Sequence, residues 1–161
     1  MSRYLLLMRH AKSSWEDVSL TDKERPLNGR GKRDALKMGA RIARLGIRWD
    51  RVISSPAKRA LDTAKRVVRF TCNDATLQID ERLYFEGAAS FLEIFKESVG
   101  NVMLFSHNPD IETFFDRYCG AYLAKFPTAS YALFAQEENG LRFICFDKPK
   151  NLTQEPFLTS R

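Results

Sequence analysis

The chain has 161 residues, 44% of them hydrophobic, and a formal net charge of +6, which fits one domain with a buried core. No apolar run approaches the roughly 20 residues that cross a bilayer. The 26 lysines and arginines are scattered, and without a run of like charges they argue against nucleic acid and for an anionic substrate met at particular positions.

The elements follow in chain order. Tyr4-Leu5-Leu6-Leu7-Met8 reads as a short buried strand. It ends in Arg9-His10 with no small-residue cleavage site, so no signal peptide is expected. Residues 11–27 are polar and irregular, a long loop. Asn28 suits a helix N-cap, Ala35, Met38, Ile42 and Leu45 recur at helical spacing, and Gly46 supplies a stop. Residues 51–54 read as a second strand. Ser55-Pro56 places an N-cap before a proline at the first helical position, and the helix predicted there runs to about Phe70 with Ala57, Ala60, Leu61, Ala64 and Val68 on one face. Residues 77–79 form a short strand. Residues 89–98, with Phe91, Leu92, Ile94 and Phe95, form a helix, and residues 102–105 form another buried strand. Pro109 opens a helix that reaches about Tyr118. Residues 131–134 and 141–146 pair as a hairpin across Glu138-Asn139-Gly140. The polar tail from Lys148 is expected to fray.

Strands alternating with helices imply an α/β fold: a three-layer α/β/α sandwich with a mostly parallel central sheet and an antiparallel C-terminal hairpin. No repeat or internal boundary interrupts it, so residues 1–161 read as one domain. Ligands of such sheets bind beyond the carboxyl ends of the strands. Three cysteines, Cys72, Cys119 and Cys145, form an odd set without CxxC spacing. They argue against a disulfide framework or zinc site and for buried or free thiols in a reducing cytoplasm.

The chain has two histidines. His10 directly follows the first strand, and His107 follows the fourth after Ser106, so both fall where an open sheet places its ligand. Arg9 offers two-pronged hydrogen bonding suited to phosphate oxygens. Arg59, in the first turn of the helix after the second strand, can reach back over a helix N-terminus that already favours an anion. A neutral histidine can attack phosphorus and divide one hard step into two. The charge spread over three equatorial oxygens then calls for fixed positive groups. Two guanidiniums and a second imidazole supply these without a metal or cofactor. HExxH, GxxxxGK[ST], CxxC and GxSxG are absent, as is a paired acidic cluster.

These residues fall into a known pattern. Met8-Arg9-His10-Ala11-Lys12-Ser13 resembles the Arg-His-Gly signature of the histidine phosphatase superfamily, which includes phosphoglycerate mutase-like enzymes. Leu27-Asn28-Gly29-Arg30-Gly31 with Ala35 resembles the segment opening that family's first helix. Residues 54–64, Ser-Ser-Pro-Ala-Lys-Arg-Ala-Leu-Asp-Thr-Ala, resemble its second-arginine motif, and Ser106-His107-Asn108-Pro109 its second-histidine motif. The short length without an inserted cap resembles the SixA-type phosphohistidine phosphatases. The resemblance implies that His10 is the nucleophile and that Arg9, Arg59 and His107 bind phosphate. It implies that Glu81 is a proton donor, with Glu86 and Asp110 as alternatives. Lys12 and Ser13 flank the expected pocket.

Two positions depart from the pattern. Ala11 replaces the usual glycine, so the backbone there must avoid positive φ. Glu16 stands where mutase-like relatives have an asparagine on the phosphate; it is expected to point away, which argues against mutase activity. The expected activity is a cytoplasmic, metal-independent phosphatase acting on a phosphohistidine of a partner protein. A small phosphate ester, or a non-catalytic phosphate or nucleic-acid binder, are the alternatives. No membrane partner is expected, and the sequence leaves the oligomeric state open.

Overall fold

A computed structural model describes residues 2–71, 75–119, 125–151 and 157–158. The strands β1 (Tyr4–Arg9), β2 (Arg51–Ser54), β3 (Leu77–Ile79), β4 (Val102–Ser106), β5 (Tyr131–Glu137), β6 (Gly140–Asp147) and β7 (Phe157–Leu158) form one sheet in the order β3-β2-β4-β1-β5-β6-β7. The first four run parallel; β5, β6 and β7 add antiparallel. The helices are α1 (Gly29–Ala43), α2 (Lys58–Thr71), α3 (Ala89–Glu97) and α4 (Asp110–Cys119).

Side chains alternate across a strand, so a continuous apolar strand feeds two cores. On one face Leu6, Met8, Met103 and Phe105 meet Ala35, Met38 and Ile42 of α1 and Ala64 and Val67 of α2. On the other, Leu5, Leu7, Val102 and Leu104 meet Phe91, Ile94 and Phe95 of α3 and Ile111, Phe114 and Phe115 of α4. The three layers are those expected. No helix among the described residues is long and apolar enough to cross a membrane.

Asn28 caps α1 as expected, its side chain accepting from the Gly31 N–H at 2.8 Å. The helix ends at Ala43 rather than Leu45, which still packs against the core, and Gly46 takes φ +68° in the closing turn. Helix α2 starts at Lys58, later than the sequence suggests, because Ser55 Oγ takes the Ala57 N–H (3.1 Å) and the first helical acceptor is the Ala57 carbonyl.

The tail differs from expectation at its start. Buried Arg41 pairs with buried Asp147 at 3.3 Å and donates to the carbonyls of Lys148 and Asn151, both at 3.0 Å. Residues 148–151 are thereby held to α1, and Phe157 and Leu158 pair with β6; the rest of the tail lies outside the described residues. Cys72 lies outside them as well, while Cys145 is a buried free thiol in β6.

Candidate active site

Strands β1, β2 and β4 are neighbours and end in register, Arg9 opposite Ser106 and Ser54 opposite Phe105. The residues that follow, His10, Ser55 and His107, therefore emerge side by side at one sheet edge. The His10 N–H donates to Ser106 O at 3.1 Å, and the His10 carbonyl accepts from the Ala129 N–H at 3.0 Å.

Arg59, 2% exposed, joins the two histidines. Its Nε lies 3.4 Å from His10 Nε2, its Nη2 lies 3.4 Å from His107 Nδ1, and the imidazole centroids are 5.1 Å apart. Partners assign the tautomers. His10 Nδ1 is 2.7 Å from the Ala11 carbonyl, which can only accept. The proton therefore sits on Nδ1, and Nε2 turns its lone pair to the pocket. His107 Nδ1 faces a guanidinium that can only donate, so Nε2–H donates to Ser55 Oγ at 2.8 Å. Arg9 donates to Phe126 O at 3.0 Å, and its Nε is a buried donor without a protein partner. Thr63 Oγ1 ties the parts together, accepting from the Ala11 N–H (2.9 Å) and donating to Arg59 O (2.7 Å).

Residues 5–84 match the family described as the histidine phosphatase superfamily (branch 1). The SixA of Agrobacterium tumefaciens, a proposed phosphohistidine phosphatase, has a structure similar to this chain at a TM-score of 0.82 and 26% identity, over 92% of this chain and 99% of that one. The chain belongs to the histidine phosphatase superfamily. A protein histidine phosphatase SixA crystallised with tungstate shares the fold, with TM-score 0.80, 23% identity, and 93% and 99% of the two chains covered. A mitochondrial serine/threonine-protein phosphatase Pgam5 of Drosophila mojavensis is 31% identical over 150 residues, 89% of this chain and 50% of its own length. A chloroplastic protein of Arabidopsis thaliana, At3g52155, is 45% identical over 65 residues, 40% of this chain and 30% of its own. The chain thus spans half or less of the length of these curated relatives.

In this member of the superfamily Arg59 bridges His10 and His107, and Arg9 is near enough for its charge to act on both imidazoles. Burial drives both imidazoles toward the neutral form, helped by the surrounding charge. His10 falls to about 3, with Arg59 and Arg9 adding to burial against the Ala11 carbonyl. His107 falls to about 2, with His10 and Arg59 adding to burial against Asp22. Both imidazoles are thereby held toward the neutral form, and the positive charge beside them is that of the Arg9 and Arg59 guanidiniums.

The other candidates lie elsewhere. Glu81 follows β3 as expected, but its side chain is 67% exposed and pairs with Lys23 at 3.6 Å. Glu86 is exposed. Asp110 accepts from the Gly87 N–H at 3.0 Å and so anchors the loop before α3. Lys12 is exposed, whereas Ser13 is buried and accepts from Arg25 Nη1 at 2.6 Å. Glu16 is exposed. Ala11 keeps a negative φ: among the described non-glycine residues, positive values belong to Phe85 (59°) and Ala129 (62°). Gly31 has its own reason to be glycine, since a Cβ there would sit 2.1 Å from the Lys12 carbonyl oxygen.

Sequence reasoning missed Asp22. Its carbonyl accepts from Arg59 Nη1 at 2.7 Å, and its carboxylate accepts from Arg59 Nη2 at 3.0 Å, Tyr84 OH at 2.6 Å and Arg25 Nη2 at 3.3 Å. Partial burial opposes its ionisation, yet the donors Tyr84 and Arg59, then Arg25, hold its carboxyl down at about 2. The available signal was Thr21-x-x-Glu24, a capping-box pattern. The Thr21 N–H donates to Glu24 Oε1 at 2.9 Å, and the turn Asp22–Glu24 follows.

Proposed function

We propose that this chain is a metal-independent phosphatase that moves a phosphoryl group from a phosphohistidine of a partner protein to His10 and then to water. The observation that carries this reading is the His10 Nε2 lone pair, fixed by the Ala11 carbonyl and aimed beside Arg59. The phosphoryl oxygens displace Asp22 from Arg59 and lie between the Arg9 and Arg59 guanidiniums. Nε2 attacks in line: an N–P bond forms, the bond to the leaving imidazole breaks, and that imidazole keeps the bonding pair and takes a proton from solvent water. Water then attacks phosphorus, inorganic phosphate leaves and His10 Nε2 is free again. The negative phosphoryl group opposes the field that keeps His107 neutral, so substrate itself favours a proton on this ring. A weak P–N bond lets the exposed carboxylate of Glu81 play a minor part.

A second reading, hydrolysis of phosphoserine or phosphothreonine, draws on the Pgam5 relative, which is named a serine/threonine-protein phosphatase. An ester needs a protonated leaving oxygen, and Glu81 is the carboxylate then called upon. The buried free thiol of Cys145 suits a reducing compartment such as the cytoplasm.

The test is brief reaction with a phosphohistidine-bearing protein and with a phosphoserine peptide, followed by acid quench or base quench. The expected result is a base-stable, acid-labile phosphate on His10 and faster discharge of the phosphohistidine. A chain that discharges neither and traps no phosphate overturns the proposal; faster hydrolysis of the ester moves the substrate to the second reading.

A further inference from the structure

Phe85 has an unusual combination of properties. Its backbone sits at φ 59°, a conformation that costs a bulky side chain free energy and persists only when its surroundings impose it. Those surroundings are firm. Leu83 is fully buried and its carbonyl accepts from Ser106 Oγ at 2.6 Å, while the Gly87 N–H is held by Asp110. The effort is not spent on a core contact, because Phe85 remains 45% exposed. Its ring lies against His107, with centroids 4.7 Å apart and planes at 32°, and Tyr84 meets it edge-on at 4.7 Å. The other non-glycine residue with positive φ, Ala129, donates to the His10 carbonyl. Both strained positions thus touch a histidine of the pocket.

We propose that Phe85 is a specificity-determining residue, an aromatic wall against which a planar ring joined directly to the phosphoryl group lies. This inference rests on the reading that the phosphoryl group sits among Arg9, His10, Arg59 and His107. The polar walls of that hollow take the phosphoryl oxygens. His10 attacks from one side, so the leaving group departs from the opposite one. His107 touches the rings of both His10 and Phe85, and the half-exposed Phe85 ring supplies an apolar face next to it. A flat leaving group gains ring-on-ring contact there beyond simple burial, and an aliphatic one does not. The neutral imidazole released from phosphohistidine has this shape; so does a phenol.

The experiment compares equilibrium binding of phenylphosphonate and methylphosphonate by calorimetry. Both present the same phosphoryl oxygens, and neither has a bond the site can cleave. The full chain is expected to hold the phenyl compound about tenfold more tightly, as one stacked ring with its buried area allows. Phe85→Gly, whose backbone accepts the observed φ and so keeps the fold, is expected to bring that ratio below about twofold, and Phe85→Leu to keep little of it. Equal affinities in the unmodified chain, or a ratio undiminished in both variants, overturns the inference. Failure of His10 to accept phosphate in its own assay leaves this ratio intact, so the two claims fail separately. Peptides bearing phosphohistidine, phosphotyrosine or phosphoserine then identify the ring. Phe85→Gly is expected to slow one or both ring-bearing peptides several-fold more than phosphoserine, and equal slowing of all three counts against the wall.

Discussion

The two sides of the sheet are built for different ends. On the parallel side, the apolar stretches of β1, β2 and β4 give way to Arg9-His10, Ser54-Ser55 and Ser106-His107 at one edge. On the antiparallel side, β5 and β6 bring no reactive group to that edge. The segment leading into β5 braces it: Ser130 O accepts from the Arg9 N–H at 3.0 Å and Phe126 O from the Arg9 guanidinium. Of the ionisable groups of β5 and β6, Tyr131, Cys145 and Asp147 are buried within the fold, and Glu137 and Arg142 pair at the surface. Parallel pairing gathers chemistry from distant parts of the sequence, and antiparallel pairing holds it still.

This contrast can be broken from either side. The largest effect is expected for His10→Ala, which removes the covalent route and should reduce turnover by at least about a thousandfold while the thermal unfolding curve stays cooperative. From the other side, Asp147→Ala leaves buried Arg41 without its carboxylate and should cost about 3–5 kcal/mol in urea unfolding, with kcat/KM of the remaining folded protein changed little. Arg59→Ala should lower kcat/KM about a hundredfold or more, the effect of losing one preorganised charge partner; unchanged kinetics would place the wrong arginine in the pocket.

The smallest effect is the shape of stability against pH. His10 and His107 have folded values near 3 and 2, below the ordinary 6.5, so their share of stability is complete above about pH 6.5 and is lost as the pH falls toward 3. Burial raises the Cys145 thiol to about 12 from an ordinary 9, with Asp147 adding to it, and lifts the Tyr131 phenol above its ordinary value. Their share is complete below about pH 9 and is lost as the pH rises toward 12. The site should therefore fail in acid and the hairpin in alkali. Urea midpoints across pH check this: His10→Gln should flatten only the acid limb, and Cys145→Ala only the alkaline one.

Much of the parallel side was legible because local signals and tertiary outcome agree there. Continuous apolar runs gave the central strands, Asn28 gave a helix start, and histidines placed directly after strands gave the edge. Asp22 was not legible as a site residue. It lies in a polar loop without periodicity, and its position is set by Arg59, 37 residues away in sequence. Phe85 reads as another apolar residue, since nothing local announces its positive φ. Glu81 was found by its place after β3, but its exposure follows from the turn Glu81–Leu83, in which Leu83 takes the core position. The pinning of residues 148–151 depends on Arg41, which a helical pattern counts as a surface cation.

The contact between Asp22 and Arg59 gives the resting pocket its own tethered counterion. At a value near 2 this carboxylate stays charged at every pH at which the fold is at full strength. A stray chloride offers Arg59 less than the carbonyl and carboxylate already attached to it. A phosphoryl group that reaches Arg9 and both imidazoles at once offers more. On the phosphatase reading proposed above, the short turn that presents Asp22 must yield Arg59 to the substrate and take it back once phosphate has left.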